Sequence, residues 1–316
     1  MKTSDQLDTN SRSIQSLRDQ HYNATLTEFR RLHDQLAILR VRPDEPLRSF
    51  AAGQYTVLGL GTWEHRVKGA QIEEPDDTRN HRLIRRAYSI SCSLLNFEGR
   101  ISTTSSNRDI EFYVALVMRN EDHAPGLTPR LFMLERGDRL YVGDHCHGRY
   151  TLERVLPDQQ VVFISTGTGE APHNAMLAEL FARNHQARVA SVVCTRHRAD
   201  LGYLETHRKL ERIFPCYRYL PLTTREPENT DPTHPNFVGR RYVQDYFLTG
   251  DMELHAEFEF QPQTTHVFLC GNPAMIRGIS GSNKDARRGM IELLEQRGFS
   301  IDRAGKPGNL HFEKYW

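Results

Sequence analysis

The chain is poor in cysteine, has no long apolar run and carries no excess of charge of either sign. Its five cysteines, Cys92, Cys146, Cys194, Cys216 and Cys270, are odd in number and widely spaced, with no CxxC pair. That argues against a disulfide framework, an iron–sulfur cluster motif and a structural zinc site, and makes a reducing cytoplasm the default compartment. No stretch approaches the ~18 consecutive apolar residues of a membrane-spanning helix. Lys and Arg total 41 against 40 Asp and Glu. A dedicated nucleic-acid binder would carry a marked basic excess, so no nucleic-acid partner is expected. The first twenty residues lack the apolar core of a signal peptide, and residues 1–20 are expected to be a polar, disordered tail.

What is present fits a globular chain of two domains. The length is 316 residues, more than one hydrophobic core usually serves. The character changes near residue 157. Before it lie short β-branched or alternating segments, of which Ala51–Leu60, Glu111–Met118 and Arg139–Val142 are the clearest strand candidates. Residues 21–156 therefore read as an antiparallel β-barrel or sandwich. After Pro157 strands and helices alternate: Val161–Ser165, helix Ala171–Asn184, Val189–Thr195, helix Tyr203–Ile213, Cys216–Leu220, helix Tyr242–Leu248, His266–Cys270 and helix Ala286–Arg297. Such alternation over 157–316 predicts a doubly wound α/β domain on a parallel sheet. Glu64–Asn80, with the acidic run Glu73-Glu74-Pro75-Asp76-Asp77, and Arg225–Pro235 read as long loops.

One loop carries a chemical signal. Thr166-Gly167-Thr168-Gly169 directly follows the Val161–Ser165 strand, and Pro172 suits the first turn of the helix that follows. Glycines there let the backbone approach a phosphate, and the helix start supplies free N–H groups. The next strand tips discriminate between dinucleotides. NAD sites place an acid about 20 residues on, whereas NADP sites place arginine. Here Arg196 and Arg198 follow the second strand and Arg225 follows the third, which favours a 2′-phosphate.

Five motifs in order, over residues 22 to 316, resemble the ferredoxin–NADP reductase family and its bacterial ferredoxin/flavodoxin reductases in particular. They are Phe50-Ala51-Ala52-Gly53-Gln54-Tyr55, where Ala52 stands in place of the usual proline; Arg86-Ala87-Tyr88-Ser89; Gly126-Leu127-Thr128-Pro129-Arg130-Leu131; Gly167 to Pro172; and Cys270-Gly271-Asn272-Pro273-Ala274-Met275. The resemblance implies an antiparallel β-barrel binding FAD, followed by the α/β domain binding NADP(H). It implies that Arg86 pairs with the pyrophosphate, Tyr88 stacks on the isoalloxazine and Ser89 hydrogen-bonds near N5. Backbone amides of Gly126 and Leu127 and the Thr128 hydroxyl would hold the FAD phosphates. Cys270, Gly271, Pro273 and Met275 would lie along the NADP nicotinamide. At the C-terminus, Glu313 would be the acid near the flavin, Tyr315 the aromatic that covers it, and Trp316 an extension packing on flavin or adenine.

The implied reaction passes a hydride from NADPH to flavin N5 and single electrons onward to ferredoxin or flavodoxin. Ser89, Cys270, Glu313 and Tyr315 would tune geometry and electrostatics, since hydride transfer needs no general base. With no cluster motif in the chain, the carrier is expected to be a separate protein. Arg66, Lys68, Arg82, Arg85, Arg303 and Lys306 are candidate docking cations for an acidic carrier. Two other readings stay open: the reductase component of an oxygenase, and a non-catalytic flavin- or nucleotide-binding redox sensor. Residues 61–82 look like an insertion relative to compact bacterial members. Asp144-His145-Cys146-His147-Gly148 departs from the family pattern, but its side chains alternate over too short a span to close a four-ligand metal site.

Overall fold

The computed structural model describes residues 4–74, 81–104, 108–279 and 287–315, with residues 4–11 as backbone. The chain begins with α1 (Ser4–His21), followed by β1 (Ala24–His33), β2 (Leu36–Pro43), β3 (Tyr55–Gly61), β4 (Leu83–Ser89), the short pair β5 (Leu94–Leu95) and β6 (Ile101–Ser102), β7 (Ile110–Ala115), α2 (Thr128–Leu131) and β8 (Arg139–Val142). It continues with β9 (Gln160–Thr166), α3 (Glu170–Ala182), β10 (Val189–Thr195), α4 (Leu204–Ile213), β11 (Tyr217–Thr223), α5 (Pro227–Thr230), α6 (Val243–Leu248), α7 (Asp251–Ala256), β12 (Thr265–Gly271), α8 (Pro273–Arg277), β13 (Gly278–Ile279), β14 (Arg287–Arg288), α9 (Met290–Gln296) and β15 (Leu310–Lys314).

Two compact units result. The first comprises residues 1–50, 54–90 and 104–148; the second comprises 51–53, 91–103 and 149–316. The sequence reading drew one cut at 156/157. The cut lies earlier, and two short segments cross over, because Ala52, Cys92 and Leu94 are buried in the same core as α3.

The first unit is one antiparallel sheet in the order β4-β3-β8-β1-β2-β7. Its apolar face closes over a core that includes Leu26, Leu39, Leu58, Phe112 and Leu140. The two edge strands approach through side chains, with the Tyr88 ring edge-on to Phe112 at 6.4 Å. The sheet thus curls as a barrel does. The β1–β2 hairpin was missed from sequence because its charges resemble those of a loop. They are cross-strand partners instead: Arg40 bridges Glu28 and Glu111, and Arg42 meets Asp109 at 2.6 Å.

The polar tail is corrected: Ser4–His21 is helical. So polar a helix would be marginal alone. Tertiary contacts hold it, chiefly Arg18 gripping Glu64 through Nε at 2.9 Å and Nη2 at 2.6 Å.

The second unit is a five-stranded parallel sheet in the order β11-β10-β9-β12-β15. Strands buried on both faces read as continuous apolar runs, which is why VVFIS and VASVV were legible. Alternate residues serve opposite cores. Val161 and Phe163 join α3 and α4, whereas Val162 and Ile164 join α6 to α9. The chain builds outward from β9 on one face and returns through β12 on the other. The reversal lies between β9 and β12, where open α/β sheets bind ligands at the carboxyl ends of the strands.

Candidate functional site

At that reversal the strand ends and the glycine loop close on one another. Gly167 has φ +53° and its missing Cβ faces open space. Gly169 has no room at all: a Cβ there would lie 2.5 Å from the Cys270 carbonyl oxygen. Gly271 has φ +121°, and a Cβ there would meet Thr166 Oγ1 at 2.3 Å. The Asn272 N–H donates to that same hydroxyl at 2.7 Å. The loop is thus pinned against β12 on one side and bare on the other, an arrangement suited to a phosphate on the bare side. Thr168 and Pro172 are buried.

Register brings further candidates together. Cys270 lies opposite Ser165 on β9 and Glu313 on β15. The Tyr315 N–H donates to the Gly271 carbonyl at 3.1 Å. Burial, with Glu313 nearby, pushes the Cys270 thiol well above its ordinary pKa, so it stays protonated and is no nucleophile. Pro273 opens α8, but the Met275 side chain is buried in the opposite core and leaves only its backbone for a ligand. Trp316 lies outside the described residues.

The arginine tips also meet. The Arg225 N–H donates to the Arg196 carbonyl at 2.8 Å, which joins the ends of β10 and β11. All three guanidinium-bearing residues, Arg196, Arg198 and Arg225, are exposed. Acids lie among them: Arg196 faces Asp200 at 3.6 Å, and Glu226 accepts from the Arg198 N–H.

In the first unit, Ile84, Arg86 and Tyr88 share one face of β4 by its period of two. Arg86 is exposed, Tyr88 half-buried and Ser89 buried. Ala87 points the other way with Arg85, whose guanidinium lies 4.5 Å from the Tyr141 ring centre. Gly126 packs on the Arg86 face, since a Cβ there would meet Ile84 Cδ1 at 3.1 Å. Leu127 is buried, and the Thr128 hydroxyl accepts from the Val117 N–H at 3.1 Å, which keeps its proton for a second partner. Arg66, read as a docking cation, is turned inward and donates to the carbonyls of Gln71 and Pro125. Burial pushes the Cys146 thiol up to about 11, far from metal-binding thiolate character.

Residues 163–281 match the family model described as the oxidoreductase NAD-binding domain. The flavodoxin/ferredoxin–NADP reductase of Escherichia coli is 28% identical over 281 residues, covering 89% of this chain and 93% of that protein. The protein of the same name from Buchnera aphidicola is 24% identical over 272 residues, covering 86% and 90%. This chain is similar to the flavodoxin/ferredoxin–NADP reductases. Its fold agrees with that of a ferredoxin NADP+ reductase from Neisseria gonorrhoeae solved with bound FAD and NADP, at a TM-score of 0.69 and 18% identity, covering 93% of this chain and 98% of the other.

Three polar features of the second and first units carry no signal in the sequence. Glu170, first in α3, is 1% exposed and its Oε1 accepts from His207 Nε2 at 2.9 Å; Tyr217 OH completes the His207 ring at 2.8 Å. Second, His173 Nε2 lies 2.7 Å from Tyr150 OH beneath the glycine loop, and burial lowers its pKa to about 3. Third, buried Arg130 grips Glu73 through two nitrogens at 2.9 and 2.8 Å. No spacing rule signals such partners, because each joins distant segments.

Proposed function

We propose that this protein is an FAD-dependent oxidoreductase that carries electrons between NADP(H) and a separate one-electron carrier protein, a ferredoxin or a flavodoxin. The observation that carries the reading is the sheet reversal, where a bare glycine loop is pinned on Cys270 and Gly271. The relatives' names, matched along most of the chain, agree with it.

The first unit would hold FAD. The exposed Arg86 fork suits a dianionic pyrophosphate, and Tyr88 on the same face supplies an aromatic wall. Backbone at Gly126 and Leu127 can approach the phosphates where Gly126 already touches Ile84. Bound FAD supplies a ring that accepts a hydride at N5 and gives up electrons singly. Ser89 would hold a hydrogen bond near that atom.

The second unit would hold NADP(H). Thr166, Gly167, Thr168 and Gly169 cradle its phosphates, and Arg196, Arg198 and Arg225 take the 2′-phosphate. Cys270 acts as a neutral, compact side chain that sets the place of the nicotinamide. Glu313 supplies charge at the end of β15. Tyr315 occupies the nicotinamide's end of the sheet and yields it on binding.

An acidic carrier would dock through exposed cations, of which Lys68, Arg82, Arg85, Arg303 and Lys306 remain candidates. Turnover with carrier should then fall as salt rises to several hundred millimolar; a flat profile refutes the charge-guided docking. A cytoplasmic location fits such carriers.

Anaerobic titration of the purified protein, with flavin absorbance followed against NADPH and NADH, tests the whole. Bleaching at far lower NADPH than NADH is expected. Arg196→Ala and Arg225→Ala should each raise the NADPH requirement about tenfold and leave NADH unchanged. A yellow protein that neither nucleotide bleaches overturns the enzyme reading, and a protein that cannot bind FAD overturns the cofactor reading.

A further inference from the structure

Residues 64–73 of the insertion after β3 are built into the first unit rather than draped over it. The Val67 N–H donates to the Pro129 carbonyl at 3.0 Å, and the Gln71 N–H to the Met118 carbonyl at 2.9 Å. The Asn120 N–H returns a bond to Gln71 Oε1 at 2.9 Å. The first of these contacts falls within the Gly126–Arg130 loop and the other two fall on the segment just before it.

The loop depends on that support. Its helix α2 has four residues, too few to be stable by itself. Its Arg130 is 3% exposed, and a buried guanidinium needs a carboxylate. Glu73 supplies it, from 57 positions away in the insertion. Arg130 also donates to the Gly126 carbonyl at 2.7 Å, so the ion pair fixes the glycine itself. The insertion is fastened in turn to α1. Glu64 receives Arg18 twice and the Tyr22 hydroxyl at 2.8 Å, while the Tyr22 hydroxyl accepts from the Gly61 N–H at 2.9 Å.

We propose that the inserted segment and helix α1 form a clamp on the Gly126–Arg130 loop, with Glu73 as its positioning residue, and that the clamp sets how slowly FAD leaves the protein. This rests on the reading of that loop as part of the FAD site. The segment carries the counter-charge that the loop lacks, and α1 locks the segment in place. Loss of either partner lets the loop relax, while neither partner is itself a residue of the flavin-facing strand β4.

The test uses full-length protein loaded with FAD. Flavin fluorescence is followed after dilution, and backbone hydrogen exchange is read at residues 126–131. Glu73→Gln should speed FAD release tenfold or more and raise exchange in the loop, and Glu73→Asp should restore most of the retention. Arg18→Ala, which touches only the far end of the clamp, should speed release two- to fivefold with an unchanged circular dichroism spectrum. Glu295→Gln, an exposed control in the second unit, should change neither. A folded Glu73→Gln protein with wild-type release and exchange overturns the clamp. Should Glu73→Gln not fold, wild-type release and exchange in Arg18→Ala overturn it. Wild-type protein that binds no FAD overturns the cofactor reading instead, and the exchange data still decide whether Glu73 holds the loop.

Discussion

Gly169→Ala isolates the closure of the nucleotide loop on the sheet. Gly169 has φ −60°, which alanine adopts without strain, so the substitution changes only space. The new Cβ would lie 2.5 Å from the Cys270 carbonyl oxygen, 2.7 Å from its carbon and 2.9 Å from Gly271 Cα. All three are backbone atoms of β12 or its end, and none can swing aside as a side chain could. Loop and strand must separate by roughly half an ångström or more, in an interior packed to crystal-like density. Overpacking of this kind costs about 1–3 kcal/mol. For a unit the size of the second that lowers Tm by roughly 2–12 °C. A displaced phosphate loop should also raise the NADPH KM about tenfold, since misplacement of about 1 Å costs on the order of 10²-fold. Gly167→Ala is the control. It has φ +53° and open space, so it pays only left-handed strain of about 1 kcal/mol. Differential scanning calorimetry and steady-state kinetics read both variants. A Gly169→Ala protein with wild-type Tm and wild-type NADPH KM refutes the packing argument.

Acid should destabilise the second unit through its buried histidines. Burial lowers His173 to about 3 and His311 to about 4, and it lowers His266 and His185 as well. With folded values below the unfolded 6.5, the unfolded chain takes up protons first, so stability is intact above pH 6.5 and falls as pH drops toward 4. At pH 5, His173 and His311 should each cost about 2 kcal/mol. Urea midpoints at pH 7.5, 6 and 5 check this, and a flat series sinks it. In the Glu170 network, Glu170→Gln keeps an acceptor for His207 and should lose only about 1 kcal/mol, whereas Glu170→Leu strands the ring and should lose about 2–4 kcal/mol. Equal urea midpoints for the two variants would count against the network.

The second unit was largely legible because its signals are local. Parallel strands buried on both faces must be apolar throughout, and Val189–Thr195 has the bounds expected for it. The Thr166–Gly169 loop declares itself by glycine at a strand end. The sequence alone therefore determined the alternation of elements, the glycine loop and the arginine tips. Only the tertiary structure decided the rest. Helix α1 exists because Glu64 receives Arg18, and the charged β1–β2 hairpin exists because Arg40 and Arg42 find acids across the sheet. Arg66 faces inward because carbonyls 5 and 59 positions away accept from it. A charge reads as solvated until its partner is known, and these partners lie many residues away along the chain. Local periodicity records which side of an element is buried; it carries no record of which distant group meets a buried charge.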